Sequence, residues 1–176
     1  GLGTDNIAVG PAMSKAMAKR AIESGIDIAN DLAERFDLFG TGDMGIGNTT
    51  PSTAIAAVCT GKSVEELTGR GTGLDDAQLS HKIAVIKRAL EVNKPDPKDG
   101  IDILAKVGGF EIGGIAGLIL GAAAHRKPIL IDGFISTAGA LIAYRIEPFV
   151  RDYLIFSHRS VEPGHKAMQE MLGCKK

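Results

Sequence analysis

The sequence predicts an α/β fold in which a parallel, Rossmann-like sheet is flanked by helices. Two short apolar runs, PILIDGF at 128–134 and DYLIFS at 152–157, have the composition of strands that are buried on both faces. Longer segments with apolar residues at helical spacing alternate with such runs along the chain. This alternation is typical of a parallel sheet with helices packed on it.

Composition narrows the class of protein. The 176 residues, 44% of them hydrophobic, suffice for one sizeable core and favour a single domain. A formal charge of -1, with acids and bases evenly scattered, argues against a nucleic-acid partner. The longest apolar run, 112–124, falls short of the roughly 20 residues that a membrane span requires. We therefore expect neither nucleic acid nor a membrane as a partner.

The cysteines and the first residues indicate the cellular compartment of the protein. Cys59 and Cys174 have neither the spacing of a metal site nor that of a disulfide framework, which fits a reducing cytoplasm. The opening residues, GLGTDN, lack the pattern of a secretory leader. These features predict a cytoplasmic protein in which Cys59 is a buried thiol.

Helices are predicted on either side of the first strand. Ser14 is placed to cap a helix whose apolar residues recur at helical spacing, and the run FDLFG at 36–40 then predicts a buried strand. A glycine loop follows, GTGDMGIGNTTP at 40–51. Pro51 suits the first position of the next helix, with Thr50 as its N-cap, because the missing N–H of proline costs nothing there.

A second glycine loop precedes another helix. TGRGTGL at 68–74 is followed by Asp75 and, three residues later, by Gln78, which is the pattern of a capping box. Within the apolar segment 111–125, glycines four residues apart lie on one face of the predicted helix and predict close packing against a neighbour. These glycines are Gly113, Gly117 and Gly121.

The first glycine loop satisfies G-x-G-x-x-G, the pattern of dinucleotide sites, but not its geometry. In that motif the helix begins within the glycines, which would place Pro51 in a helix interior at a cost of about 3 kcal/mol or more. GKS at 61–63 fails as a P-loop because Ala56 stands where the first glycine is required. What remains is a loop at a helix N-terminus, which either binds an anion through free backbone N–H groups or is a tight turn with an N-cap.

Polar loops follow each predicted strand. Ligands collect beyond the carboxyl ends of parallel strands, so the loops after Gly40, Gly133 and Ser157 are expected to face one crevice. Lys82 is either a further positive charge for the same ligand or a solvated surface lysine. Asp43 is either a turn-forming residue or an acid directed at the ligand.

The loop after the last strand, SHRSVEPGH at 157–165, concentrates polar side chains. Its two histidines are seven residues apart, and its glutamate precedes a proline, so no metal-ligand spacing emerges. We interpret this segment as a substrate loop.

Five segments together resemble one enzyme family. GDMGIGNTTP, TGRGTGLDD, LAKVGGFEIGGIAGLILGAAA, PILIDGFISTAGAL and SHRSVEPGH are similar, in order and spacing, to segments of the bacterial nicotinate-nucleotide:dimethylbenzimidazole phosphoribosyltransferases. The resemblance covers nearly the whole chain, and five long motifs in register are far more specific than any single glycine pattern. It implies transfer of phosphoribosyl from nicotinate mononucleotide to dimethylbenzimidazole for the lower ligand of cobalamin. It also implies a homodimer that uses neither a metal nor another cofactor.

The resemblance further implies which residues bind the substrate. Contacts to phosphate and ribose would come from the two glycine loops, the following helix start, one lysine and one serine. These residues are Asp43, Met44, Gly45, Gly47, Asn48, Thr49, Thr50, Gly71, Thr72, Gly73, Lys82 and Ser160. Asp43 stands where the family usually has glutamate, so its carboxylate is one methylene shorter.

The family's general base is expected outside this chain. That glutamate lies in a G-E-G-T-G motif downstream of the last helix pattern seen here, so no catalytic residue is expected before Lys176. By the same comparison, residues 1–176 would form most of the large α/β domain, with the small-domain segments largely absent. We expect such a chain to bind the nucleotide weakly and to turn over inefficiently by itself.

Two other classes of function remain open. A non-catalytic nucleotide-binding protein would need the phosphate-binding parts but not the base. A related phosphoribosyltransferase would use a different acceptor, such as a purine, another benzimidazole or a phenol. A dehydrogenase is opposed by Pro51, as argued above.

Overall fold

The computed structural model describes residues 3–70 and 73–173, which form a three-stranded parallel sheet surrounded by α-helices. A 3-10 helix, Pro148–Tyr153, immediately precedes the third strand. The other elements are α1 (Lys15–Leu32), β1 (Phe39–Gly40), α2 (Thr49–Thr60), α3 (Val64–Leu67), α4 (Asp76–Asn93), α5 (Gly100–Val107), α6 (Phe110–Ala124), β2 (Ile129–Ile131), α7 (Gly133–Ile146), β3 (Leu154–Phe156) and α8 (Pro163–Met171). The predicted fold class, a parallel sheet flanked by helices, is confirmed.

The sheet has the order β1-β2-β3, with β2 in the centre. Phe39 is in register with Ile129, which in turn is in register with Leu154. Ile129 and Ile131 of β2 are fully buried, as the apolar run predicted. Because both strand pairs are parallel, the chain segments that follow all three strands start at the same edge of the sheet.

Two predicted strands are shorter or less buried than expected. In the run 36–40 only Phe39 is a buried apolar residue, and Phe36 and Leu38 are exposed because pairing with β2 begins at Phe39. Burial of β3 on both faces is also wrong: Ile155 is 47% exposed, since the described helices leave its side chain open to solvent. The 3-10 helix further shortens the predicted strand by taking up Asp152.

The predicted start of the second helix is wrong. Asn48, not Thr50, is the N-cap of α2, and Pro51 is the third helical residue rather than the first. The first backbone N–H groups of a helix have no partner within the helix, so a proline anywhere in the first turn removes no hydrogen bond. The predicted end at Thr60 is confirmed, with Gly61 in the left-handed conformation after it.

The capping box before α4 is confirmed. The Asp75 side chain accepts the Gln78 N–H at 2.8 Å, and the Gln78 side chain accepts the Asp75 N–H at 3.0 Å. These two bonds satisfy donors that would otherwise be unpaired at the start of α4. The start of α4 is thereby fixed directly after the second glycine loop.

Helices α1 and α6 pack backbone to backbone. A Cβ on Gly117 of α6 would lie 2.7 Å from the Ile22 carbonyl carbon of α1, and one on Gly25 would lie 2.6 Å from the Leu118 nitrogen. Real side chains do not tolerate such distances, so the predicted role of the glycine face is confirmed. This close pair supports α7, whose ten residues from Phe134 to Ala143 are all buried and which leads directly out of β2.

Gly117→Ala is expected to destabilise the protein by about 2 kcal/mol or more, because its methyl group meets the α1 backbone, which cannot move aside. Gly114→Ala is the matched control, since an added Cβ there has nothing within 4 Å. The control should be neutral or stabilising by up to about 1 kcal/mol through helix propensity. Urea unfolding of the two variants measures the difference, and equal midpoints would contradict the packing argument.

Candidate functional site

The three strands end at one edge, where their following residues are hydrogen-bonded to one another. The Thr41 hydroxyl donates to the Leu130 carbonyl at 3.0 Å and accepts the Asp132 N–H at 3.2 Å. The Ser157 hydroxyl lies 3.1 Å from the Asp132 carboxylate and 3.0 Å from Nδ1 of His158. The predicted convergence of three loops at this edge is therefore confirmed.

The first glycine loop is organised by Asp43. Its Oδ1 atom accepts the Gly45 N–H at 3.1 Å and the Asn48 side-chain amide at 2.8 Å. Gly45 and Gly47 have φ angles of 75° and 82°, in the region that glycine adopts without strain. Asp43 thus acts as a turn-forming residue, the first of the two interpretations that the sequence allowed.

The N-terminus of α2 lacks a side-chain cap. Asn48 occupies the cap position, but its amide is turned toward Asp43, and no side chain among residues 3–70 and 73–173 caps the helix. Asn48 is only 8% exposed, and its Oδ1 atom has no hydrogen-bond partner within this part of the chain. The free N–H groups at the start of α2 are favourable donors for an anion such as phosphate.

Lys82 reaches this helix end from α4. Its ammonium group donates to the Thr49 hydroxyl at 3.1 Å and lies 3.4 Å from the Gly69 carbonyl oxygen. The residue is 9% exposed, so the alternative of a solvated surface lysine is wrong. Lys82 therefore links the two glycine loops: it contacts Thr49 at the end of the first loop and Gly69 near the start of the second loop.

Nearby negative charge compensates the Lys82 ammonium only in part. Burial lowers its pKa from the ordinary value, and the Glu162 carboxylate opposes that effect only in part. A phosphate bound beside Lys82 would favour the protonated form again. An anion bound beside Lys82 would thus be stabilised by a positive charge that solvent does not screen well.

The loop after β3 reaches the same region. The Glu162 N–H donates to the Ser160 hydroxyl at 3.3 Å, and the Glu162 carboxylate lies against the Gly69 backbone. A Cβ on Gly69 would lie 2.8 Å from the Pro163 ring, so only glycine fits at this contact. The Ser160 loop and the second glycine loop are consequently in direct contact.

A pocket of about 620 Å³ opens between the start of α2 and the first turns of α4. Its polar walls combine the N-terminus of α2 with three side chains that carry, or on protonation gain, positive charge. The residues in question are Thr49, Thr50, Arg70, His81 and Lys82. This pocket has the shape and charge that a nucleotide phosphate needs.

The predicted site residues are distributed unevenly around this pocket. Thr49, Thr50 and Lys82 line it, whereas Asp43, Gly45, Gly47 and Asn48 form the loop behind the start of α2. Met44 is 85% exposed. Gly73 lies in the second glycine loop with a φ of 106°, and the predictions for Gly71 and Thr72 fall outside the described residues.

Sequence reasoning did not single out three polar residues at the site, Arg70, His81 and Asp132, and it weighed His158 and His165 only as metal ligands within a substrate loop. Arg70 donates to the Leu74 carbonyl at 2.9 Å, and Asp132 and His158 approach each other at 3.3 Å. His165 is fully buried beneath the Ser160 loop. Asp132 follows a buried strand directly, which is a usable signal, but no spacing rule links His165 to its partners on α7.

Within residues 3–70 and 73–173, no group of three His, Cys, Asp or Glu side chains is arranged to hold a metal ion. Among the same residues, no helix combines the length and the apolar character that crossing a membrane demands.

Comparison with known proteins identifies the class. A family profile described as phosphoribosyltransferase matches residues 1–176. The chain belongs to this family of phosphoribosyltransferases.

Individual relatives are more specific. The nicotinate-nucleotide--dimethylbenzimidazole phosphoribosyltransferase of Desulfotalea psychrophila is 72% identical over 176 residues, which are all of this chain and 50% of that protein. The relative of the same name from Desulforudis audaxviator is 62% identical over 172 residues, 97% of this chain and 49% of the relative. The crystal structure of CobT from Thermus thermophilus superimposes with a TM-score of 0.90 at 41% identity, covering 97% of this chain and 51% of the other. The chain thus spans about half the length of the curated relatives it matches.

Stability is expected to fall as the pH is lowered from about 6.5 to about 4. Burial, then the positive charges of His158 and Arg159, lower the pKa of His165 to about 4, so the unfolded chain binds a proton that the folded chain does not. The loss should approach about 3 kcal/mol. Unfolding free energies measured across this window in the wild type and in His165→Asn test the expectation, and parallel curves would contradict it.

Proposed function

We propose that the chain supplies the nucleotide-binding half of an enzyme that transfers phosphoribosyl from nicotinate mononucleotide to dimethylbenzimidazole. The products are α-ribazole 5'-phosphate and nicotinate. The observation that carries the proposal is the buried Lys82 ammonium, held by Thr49 and Gly69 beside the uncapped N-terminus of α2. The names of the relatives, at 72% and 62% identity, supply the identity of the two substrates.

Within this proposal the described residues bind and orient the nucleotide. Lys82, the N–H groups at the start of α2 and Ser160 hold the phosphate, and Gly45 and Gly47 let the backbone approach the ribose. Asp43 maintains the shape of the loop, and its carboxylate together with the Asn48 side chain contacts the sugar hydroxyls. Met44, Gly71, Thr72 and Gly73 complete the set of proposed contacts, and Thr50 belongs to the helix N-terminus.

The chemistry then needs little from these residues beyond position. The azole nitrogen of dimethylbenzimidazole attacks the anomeric carbon as the bond to nicotinate breaks, and the bonding electron pair neutralises the pyridinium nitrogen. The proton on the azole passes to a carboxylate. Fixing the phosphate fixes the anomeric carbon for in-line attack, which removes much of the entropic cost of bringing two substrates together. We propose that the carboxylate belongs to a glutamate outside residues 1–176.

The proposal extends to the setting of the enzyme. Residues 1–176 form most of its large domain, without most of the small-domain segments. The protein assembles as a homodimer and works in the cytoplasm, for which the cysteine content and the family relationship are the support. Neither a metal nor another cofactor takes part.

Turnover tests the complete proposal. The 176-residue chain and a version extended through the family's glycine-rich glutamate motif are incubated with nicotinate mononucleotide and dimethylbenzimidazole, and released nicotinate is quantified. We expect turnover only from the extended version. Turnover by the short chain at a comparable rate would show that an acid within it is the base, and Asp43 and Glu111, which line one pocket of about 400 Å³, would be the first to replace.

Lys82→Met is expected to weaken binding of nicotinate mononucleotide by about 10- to 100-fold, the effect of losing one charge-assisted hydrogen bond. Lys87→Met is the matched control, because Lys87 lies on the same helix but pairs with Glu65 away from the pocket. Isothermal titration calorimetry gives both affinities. Equal affinities for the two variants would remove Lys82 from the site.

A further inference from the structure

His165 lies in the first turn of α8 with an imidazole ring that is completely buried. Both ring nitrogens have partners: Nδ1 lies 2.8 Å from the Ser160 nitrogen, and Nε2 lies 3.0 Å from the Thr137 hydroxyl. The Thr137 hydroxyl in turn lies 2.6 Å from the Gly133 carbonyl oxygen. The ring therefore connects the loop after β3 to the start of α7.

The partners determine where every proton is. The Ser160 N–H can only donate, so Nδ1 must be the unprotonated nitrogen and Nε2 must carry the hydrogen. Nε2–H then donates to the Thr137 oxygen, whose own O–H is directed at the Gly133 carbonyl, an obligate acceptor. The hydrogen bonds from Ser160 through His165 and Thr137 to Gly133 fit one neutral tautomer of His165, and each donor in this chain of bonds has an acceptor.

This series spans the edge of the sheet at which the ligand is proposed to bind. Gly133 begins α7 immediately after β2, whereas Ser160 lies four residues beyond the end of β3. At the other end of the loop, the Gln169 amide of α8 reaches the His158 carbonyl at 3.4 Å. Residues 158 and 160 are thus both held from α8, but only the His165 contact continues into the core.

We propose that His165 is a positioning residue: its Nδ1 atom fixes the Ser160 amide and thereby sets the position of the Ser160 hydroxyl, next to Glu162 and its contact with Gly69. The contact of that hydroxyl with phosphate rests on the proposed function, whereas the ordering of the loop does not. The low pKa of about 4 is consistent with this role, because a proton on Nδ1 would displace the Ser160 N–H.

Three variants separate the two ends of the ring. His165→Asn can place its amide oxygen near the position of Nδ1 and keep an acceptor for the Ser160 N–H. His165→Leu removes both nitrogens while keeping a buried apolar group. Thr137→Val removes the partner of Nε2 but leaves Nδ1, which makes it the control for damage to the core rather than to the loop.

The direct readout is hydrogen exchange at the Ser160 amide, followed by NMR. We expect this amide to be protected in the wild type, in His165→Asn and in Thr137→Val, and to exchange about tenfold faster in His165→Leu. Equal exchange in the wild type and His165→Leu would overturn the proposal. Equal exchange in the Asn and Leu variants would overturn it as well, because the acceptor would then be irrelevant. If His165→Leu does not fold, the other two variants decide. Loss of protection in His165→Asn but not in Thr137→Val overturns the proposal, and protection of the Ser160 amide in both variants supports it.

The second readout is the affinity for nicotinate mononucleotide. We expect His165→Leu to bind about tenfold more weakly than the wild type, and His165→Asn to remain within about twofold of it. Absence of nucleotide binding by the version extended through the glutamate motif, with exchange as expected, would refute the proposed function while supporting the ordering of the loop by His165. Normal affinity in a folded His165→Leu would refute the positioning role itself.

Discussion

The parallel pairing of β1, β2 and β3 is the constraint on which the rest of the structure depends. Because all three strands run in the same direction, the segments that begin at Thr41, Asp132 and Ser157 start from one edge. Their hydrogen bonds to one another, rather than the short strands alone, hold that edge together. The glycine loop before α2, Asp132 and the Ser160 loop are positioned from this edge, and Lys82 reaches the same region from α4.

The site itself combines two kinds of rigidity. The glycine loop before α2 is fixed by the Asp43 carboxylate, which leaves the helix N–H groups free of a side-chain cap. Lys82 is fixed by burial against Thr49 and Gly69, so its charge is already in place before an anion arrives. Preorganised donors of this type need little rearrangement on binding, which lowers the ordering cost of binding and defines the position of the sugar.

Sequence reasoning identified the fold class, the convergence of the loops and the glycine face of α6, because these follow from periodicity and from glycine spacing. It misplaced the start of α2, since Thr50 and Asn48 are both good N-cap residues and Pro51 is tolerated throughout the first turn. It left Lys82 undecided between surface and site, because burial of its ammonium depends on Gly69, a tertiary contact. The bonds of His165 to Thr137 and Ser160 involve three separate elements, and no local pattern encodes them.

The backbone contact between α1 and α6 also bears on how the chain folds. Gly25 and Gly117 are far apart in the sequence, with α2, α4 and β1 among the elements that lie between them. Contacts with such large sequence separation slow folding, because the entropy of loop closure is lost before the contact forms. The helix pair that supports the buried α7 therefore carries a large loop-closure cost, and during synthesis it cannot form until α6 has emerged.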